Sequence, residues 1–407
     1  MPDIENLLRE ELKRTARKVQ PGILRPLRVP APDRSRRRRL LPLAAAAAVI
    51  AVITVVALVV GLTAAQKPAP SGPAPAALPR FYVTTRAGAN SHEVAAVVRA
   101  SASGQVTGTV QVPSSILQGS AGVTAAADDR SFIIGAYEGL SEDSSGGIRL
   151  DLRLFQFRIS GGGKPGHLTE LAPSPARGLG FKGIALSPDG KLLAVSLVSG
   201  PDDSTGTLQV INLATGTIRT WTAPVTGPQY APGAPAWVDG NRMIAFTWLR
   251  STDQGTGYVT EGVRLLDTAA PGDNLADAKL IVPSGVVAAG AIKSALITPD
   301  GRDVIAVTLR DLSPLASSHT VIVQFAELQA GTGGLIRVLR TQTARLDQDA
   351  FASLQATLEM LSFDSAGQYV LVQGIQFGRL EVGGPDPGRF TPLPLPPAAP
   401  FVWSAAW

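Results

Sequence analysis

The chain has 407 residues, 45% hydrophobic and 17% charged, with 42 Gly, 32 Pro and no Cys. The lack of cysteine excludes disulfides, thiolate metal sites and cysteine nucleophiles. The net charge of +5 is local: residues 1–39 carry 12 Lys/Arg and 5 Asp/Glu, whereas residues 40–407 carry the other 25 and 27, so the main body has no excess of cations for nucleic acid.

Residues 1–39 are read as a basic cytoplasmic tail. Asp3 is placed as an N-cap, and Ile4, Leu7, Leu8, Leu12, Ala16 and Val19 recur at helical spacing, which predicts an amphipathic helix over residues 3–19. Such a helix rests on the anionic inner leaflet or docks on a cytoplasmic protein. Pro21, Pro26, Pro30 and Pro32 then oppose further regular structure.

Between Arg39 and Lys67 the sequence has no charge, and "RSRRRR" stands immediately before it. An uncharged apolar run of this length spans a bilayer as a helix. The basic flank keeps the N-terminus inside and exports the C-terminal body. Residues 40–65 are therefore predicted to be a transmembrane helix in contact with lipid. The alternative is a signal peptide cut after Thr63-Ala64-Ala65, although its apolar core would be unusually long. Residues 66–79 form a Pro-rich linker, a stiff extended spacer.

From residue 80 onward the chain repeats itself. "IALSPDGKLLAVSLV" at 184–198 has relatives at 123–137, 234–248, 295–309 and 360–374. Each is an apolar run, a polar turn and a second apolar run, and a further strand pair follows most copies. The turn residues singled out are Asp189, Gly190, Asp239, Gly240, Asp300, Gly301 and Gly367, with Arg130 matched to the glycines in the first copy. Four strands per unit, repeated at this spacing, predict a β-propeller. Residues 81–112 supply only three strands, and the terminal "PFVWSAAW" resembles an inner strand. Residues 401–407, with Trp403 and Trp407, are thus expected to complete the first blade and close a ring of six. The other blades are placed at 115–171, 180–223, 233–283, 290–341 and 358–395. The fold class is all-β: a six-bladed propeller over 80–407, preceded by one transmembrane helix and a short cytoplasmic helix.

"ALSPDGKLLAV" and "LITPDGRDVIAV" resemble the repeats of TolB-like and WD-repeat-like propellers. The Gly-His and Trp-Asp signatures of true WD repeats are absent. The layout, with 29 Arg against 8 Lys, also resembles single-pass actinobacterial envelope proteins with an exported propeller. That resemblance implies an architecture and a location, not a reaction.

Motifs for chemistry are scarce. His92, His167 and His319 lie far apart in sequence and read as loop or surface residues. "GGGKPG" at 161–166 has Arg158 where a phosphate loop needs Gly and Pro165 where it needs Ser/Thr, so it reads as a hairpin turn. No nucleophile elbow is present. Pro-Asp-Gly explains itself as a turn: Pro fixes φ, Asp bonds backbone amides and Gly takes positive φ. Calcium loops need several oxygens close in sequence, and each turn offers one carboxylate. No catalytic residue, metal or cofactor is therefore expected, and the body is read as non-enzymatic. Binding is expected on the long loops 138–147, 199–206, 250–258 and 343–356. Tyr230, Trp237, Trp248, Trp403 and Trp407 are assigned to blade cores and closure. The expected function is a membrane-anchored, extracytoplasmic binding or scaffolding module for an envelope ligand or protein. The alternative is an anti-sigma-like signalling protein whose 3–19 helix binds a cytoplasmic partner.

Overall fold

A computed structural model describes residues 78–407 except 88–93, 114–121, 143–147, 173–179, 200–204, 253–257, 286–289, 314–317, 359–360 and 395–403. The predicted 3–19 helix, the 40–65 span, the linker up to residue 77, His92 and Trp403 lie outside the described residues. Among the described residues no helix is long and apolar enough to cross a membrane.

The body is a six-bladed β-propeller of four-stranded antiparallel sheets. Blade 1 holds β1 (Phe81–Ala87), β2 (Val94–Ala100) and β3 (Val106–Val112). Blade 2 holds β4 (Gly122–Ala125), β5 (Ser131–Glu142), β6 (Ile148–Arg158) and β7 (Thr169–Leu171). Blade 3 holds β8 (Gly180–Leu186), β9 (Leu192–Ser199), β10 (Thr205–Asn212) and β11 (Ile218–Thr222). Blade 4 holds β12 (Tyr230–Val238), β13 (Met243–Ser251), β14 (Tyr258–Asp267) and β15 (Lys279–Pro283). Blade 5 holds β16 (Ala291–Ile297), β17 (Asp303–Asp311), β18 (Ser318–Gln329) and β19 (Leu335–Asp347). Helix α1 (Gln348–Thr357) leads to blade 6, with β20 (Leu361–Phe363), β21 (Tyr369–Gln373), β22 (Phe377–Glu381) and β23 (Phe390–Pro392). The chain then returns as β24 (Ser404–Ala406), the inner strand of blade 1.

Closure rests on a short ladder. Val83 pairs with Ala406, Thr84 with Ala405 and Thr85 with Ser404. Trp407 is buried and meets Tyr82 edge-on at 6.2 Å, and Tyr82 meets Phe377 of blade 6 at 6.1 Å. The last residue of the chain thereby seals the seam between blades 6 and 1. Joining the two ends removes the inner edge that β1 would otherwise present to water.

Each seam between neighbouring blades has its own apolar cluster. Middle strands are therefore buried on both faces and read as continuous apolar runs. Strand β6 changes phase within "LDLRLFQFRI", from Leu150, Leu152 and Leu154 to Phe155, Phe157 and Ile159. Leu152 and Leu154 face blade 3, whereas Phe155 and Phe157 face blade 1, where Phe157 stacks on Phe132 at 5.5 Å. Both faces follow a period of two, and the apparent shift is the change from one buried face to the other.

Two expectations need correction. Residues 343–356 are not a loop: β19 runs to Asp347, and α1 begins there with the Asp347 carboxylate accepting from Ala350 N at 2.8 Å. His319 is not a surface residue but is 5% exposed. The 161–166 segment is a turn, with Ser160 N donating to Lys164 O. Thr107 of blade 1 donates to Gly163 O at 2.9 Å, so the hairpin fastens blade 2 to blade 1.

Candidate functional site

Antiparallel blades give the propeller two unlike ends. The tight turns joining first to second and third to fourth strands share one end, the turn end. The loops joining second to third strands, and the connectors between blades, share the other, the loop end. Of the expected binding segments, 138–142 belongs to β5 and 343–356 to β19 and α1; the strand ends that bound the other stretches, Glu142 and Ile148, Ser199 and Thr205, and Ser251 and Tyr258, lie at the loop end, as α1 does. Leu78–Arg80 enter at the turn end, where Ser101 N donates to Arg80 O.

The turn end is built from the repeated motif. Ser187 Oγ accepts from Leu192 N and donates to Asp189 Oδ1, which also accepts from Lys191 N. Thr298 and Asp300 repeat this arrangement with Asp303 N and Arg302 N. Asp364 performs both tasks, accepting from Gln368 N and Tyr369 N. Gly190, Gly301 and Gly367 take φ of +72°, +74° and +67°. Asp239 and Gly240 are both left-handed, at +50° and +67°, and close β12 onto β13. In blade 2, Ala126 has no side-chain oxygen, so Asp128 accepts from Arg130 N and Ser131 N. The residue at the glycine place there is Asp129, at φ +50°, and not Arg130. The register matched to the sequence was one residue late.

These turns touch one another around the channel. Asn241 of the blade 4 turn helps to hold the Asp189 carboxyl below its ordinary value. A Cβ on Gly301 would come within 2.9 Å of Val238, and one on Gly367 within 2.8 Å of Pro299. Blade 1 has no such turn, because its inner strand is the chain end. Across that gap Ser365 Oγ donates to Asp129 Oδ2 at 2.9 Å. The carboxylate that replaces a glycine thus links blades 6 and 2. Against desolvation, which raises it, Ser187, Lys191 N, Asn241 and the Lys191 charge hold the Asp189 carboxyl below its ordinary value, so its partners lie in its own turn and the next. Asp189→Asn keeps an acceptor there and is expected to move the urea midpoint by no more than about 0.5 kcal/mol.

A cavity of about 470 Å³ runs between the inner strands β4, β8, β12, β16, β20 and β24. Neighbouring strands are hooked together along it. Ser404 Oγ accepts from Val123 N, Thr124 Oγ1 accepts from Leu186 N, and Trp237 Nε1 donates to Ala185 O at 2.9 Å. Asp129, Asp364, Ser365 and Trp407 line its turn end, and Phe181 and Lys182 its loop end. Strands β8, β12 and β16 each bulge near the loop end, between Phe181 and Gly183, Pro232 and Pro235, and Ile292 and Ser294. Bulges re-aim side chains, and the Lys182 ammonium here lies 4.3 Å from the Tyr258 ring centroid. Among the described residues, no group of three acidic or histidine side chains is placed to hold a metal.

Desolvation, with a smaller contribution from Asp128, holds the Asp129 carboxyl above its ordinary value. Desolvation does the same to Asp364, with Asp129 repelling its charge. A carboxyl with a raised pKa disfavours folding as pH rises through the ordinary and then the folded value. Asp129→Asn keeps an acceptor for Ser365 and suits positive φ. It is therefore expected to stabilise the fold at pH 7, by less than about 1 kcal/mol, and to lose that advantage below about pH 4. Urea unfolding at the two pH values checks both parts.

His167 is exposed. His319 sits at the loop end of blade 5 with Nδ1 2.7 Å from Asp311 Oδ2 and Nε2 2.7 Å from Gln348 Oε1. The sequence hid this cluster because the partners are 8 and 29 residues away. The Asp347 cap before the Phe351, Leu354 and Leu358 spacing was a readable signal for α1.

No family model and no curated protein matches the chain. Among solved structures it is similar to a periplasmic gluconolactonase of Pseudomonas aeruginosa, at 15% identity and a TM-score of 0.40, over 76% of this chain and 93% of that one. A 6-phosphogluconolactonase candidate from Bacteroides fragilis NCTC 9343 matches at 12% identity and a TM-score of 0.39, over 80% and 96%. A prolyl endopeptidase matches at 16% and 0.36, over 76% of this chain but 41% of that one. These likenesses reach no further than the propeller, and the TolB-like and WD-repeat-like resemblance is carried no further than six blades. They also correct one expectation: propellers similar to this one are named as enzymes, so the fold is no ground for excluding catalysis.

Proposed function

We propose that the chain is a membrane-tethered binding or scaffolding module, with its propeller outside the cell membrane and its loop end receiving an envelope ligand or protein at the channel mouth. The observation that supports this reading is that the strand ends bounding three of the expected segments, with α1, share the end of the propeller opposite Leu78–Arg80. Loops on a rigid frame are the usual place for recognition, and channel mouths between repeated units are favoured ligand sites.

The test uses the full chain in intact cells. A p-benzoylphenylalanine at Thr252, beside the loop-end segment 253–257, is compared with one at Lys191 on the turn end. A discrete crosslinked product from position 252, absent from 191, is the expected result. Equal labelling from both positions, or none from 252, contradicts the reading. Protease added outside the cells is expected to reach the propeller and spare the 1–39 tail.

A further inference from the structure

We propose that His319 is a pH-operated latch: its imidazolium, held between Asp311 and Gln348, fastens the first half of α1 to blade 5, and loss of its proton releases that half of the helix. The latch regulates access to the site proposed above. Only that consequence rests on the binding reading.

With the carbonyl of the Gln348 amide turned toward the ring, the geometry matches the charged state. Both ring nitrogens of His319 lie 2.7 Å from oxygen acceptors, a carboxylate on one side and an amide carbonyl on the other. A neutral imidazole has one N–H and satisfies one of them, whereas an imidazolium donates to both. The Phe351 ring stacks on the imidazole at 4.1 Å and 12°, an arrangement that favours a cation. Loss of one proton therefore breaks one of the two hydrogen bonds; with the remaining N–H kept on the Asp311 carboxylate, the bond lost is to Gln348 of α1, and the charge facing the Phe351 ring of the same helix goes with it. The far half of the helix is held differently, by Leu354 and Leu358 in the seam between blades 5 and 6. Four residues after α1 comes β20, and Ser362, Phe363, Asp364 and Ser365 line the cavity.

The charged groups around His319 are few. Strand β17 offers Asp311 and Arg310, of which Asp311 makes the contact. Strand β19 offers Arg345, which donates to Ser318 Oγ, and Asp347, which caps α1. Helix α1 adds Asp349 in its first turn. Asp311 and then Gln348 hold the imidazolium above its ordinary 6.5. Ser313 N, and after it His319, hold the Asp311 carboxyl below its ordinary 3.8. The His319 contribution is fully present below about pH 6.5 and lost as pH rises through the raised folded value. The Asp311 contribution is present above about 3.8 and lost as pH falls through its lowered folded value. The latch is thus closed in mild acid and opens on the alkaline side.

The test is hydrogen exchange of the full chain in detergent at pH 5.5 and 8.5, corrected for intrinsic exchange rates. Peptides covering 348–358 are expected to exchange at least about tenfold faster at pH 8.5, the scale of one charge-assisted hydrogen bond, while peptides from β13 stay unchanged. His319→Gln should abolish the difference, and Asp311→Asn should lower the pH at which protection is lost. Equal protection at both pH values, or a pH response that persists in H319Q, overturns the latch; if H319Q does not fold, D311N decides alone. A latch that works while Thr252 yields no crosslink leaves this inference standing and removes only the binding reading.

Discussion

Trp407→Ala is expected to lower propeller stability by about 3–5 kcal/mol, although it alters a single side chain just past β24. Trp407 is 1% exposed and is shared by blades 1 and 6 through Tyr82, Leu371, Phe377 and Leu393. Its removal leaves a cavity at the seam where β24 meets β1 by strand pairing alone. Domain stabilities are on the order of 5–15 kcal/mol, so this is a large fraction. Trp407→Phe should lose much less, because the indole Nε1 has no hydrogen-bond partner and the ring contact is largely kept. Deleting Phe401–Trp407 should be worse than either change, since it also removes the three pairs to β1 and reopens that strand's edge. Urea unfolding of the three variants checks the order. A truncated chain that melts like the full one would show that closure carries no stability.

The second large effect is at Trp237, where the cavity wall and a blade seam coincide. Trp237→Ala removes a buried ring from the cluster between blades 3 and 4 and is expected to cost about 3–5 kcal/mol. Trp237→Phe separates packing from hydrogen bonding. It keeps most of the ring but leaves Ala185 O without its donor, at about 1–2 kcal/mol. Because both variants reshape the channel, each should also weaken the Thr252 crosslink. Unfolding midpoints and crosslink yield, measured in the same preparations, distinguish lost fold from lost binding.

The turns were the readable part of this protein. Ser187, Pro188, Asp189 and Gly190 are each required locally, so the motif repeats wherever a first strand turns into a second. That repetition exposed the missing strand of blade 1 and pointed to the C-terminus. Asp129 escaped because blade 2 replaces the glycine with a residue whose use lies 236 positions away, at Ser365. His319 escaped for the same reason: Asp311 and Gln348 meet it only once β17, β18 and α1 are assembled. The cavity was not legible at all, because residues that line it, such as Ile184 and Trp237, also serve the seams and follow the seams' pattern.

Closure defines the two ends of the propeller and is the central claim here. The protein has no cysteine, so one introduced pair reports on it without interference. Thr84 and Ala405 are direct partners in the β1–β24 ladder, and opposed positions bring their Cβ atoms to roughly 5 Å. In the full chain, Thr84→Cys with Ala405→Cys is expected to form an intramolecular disulfide under mild oxidation, seen as a non-reducing gel shift. A double variant that stays reduced, or that bonds only between molecules, would contradict a ring closed by its own last strand.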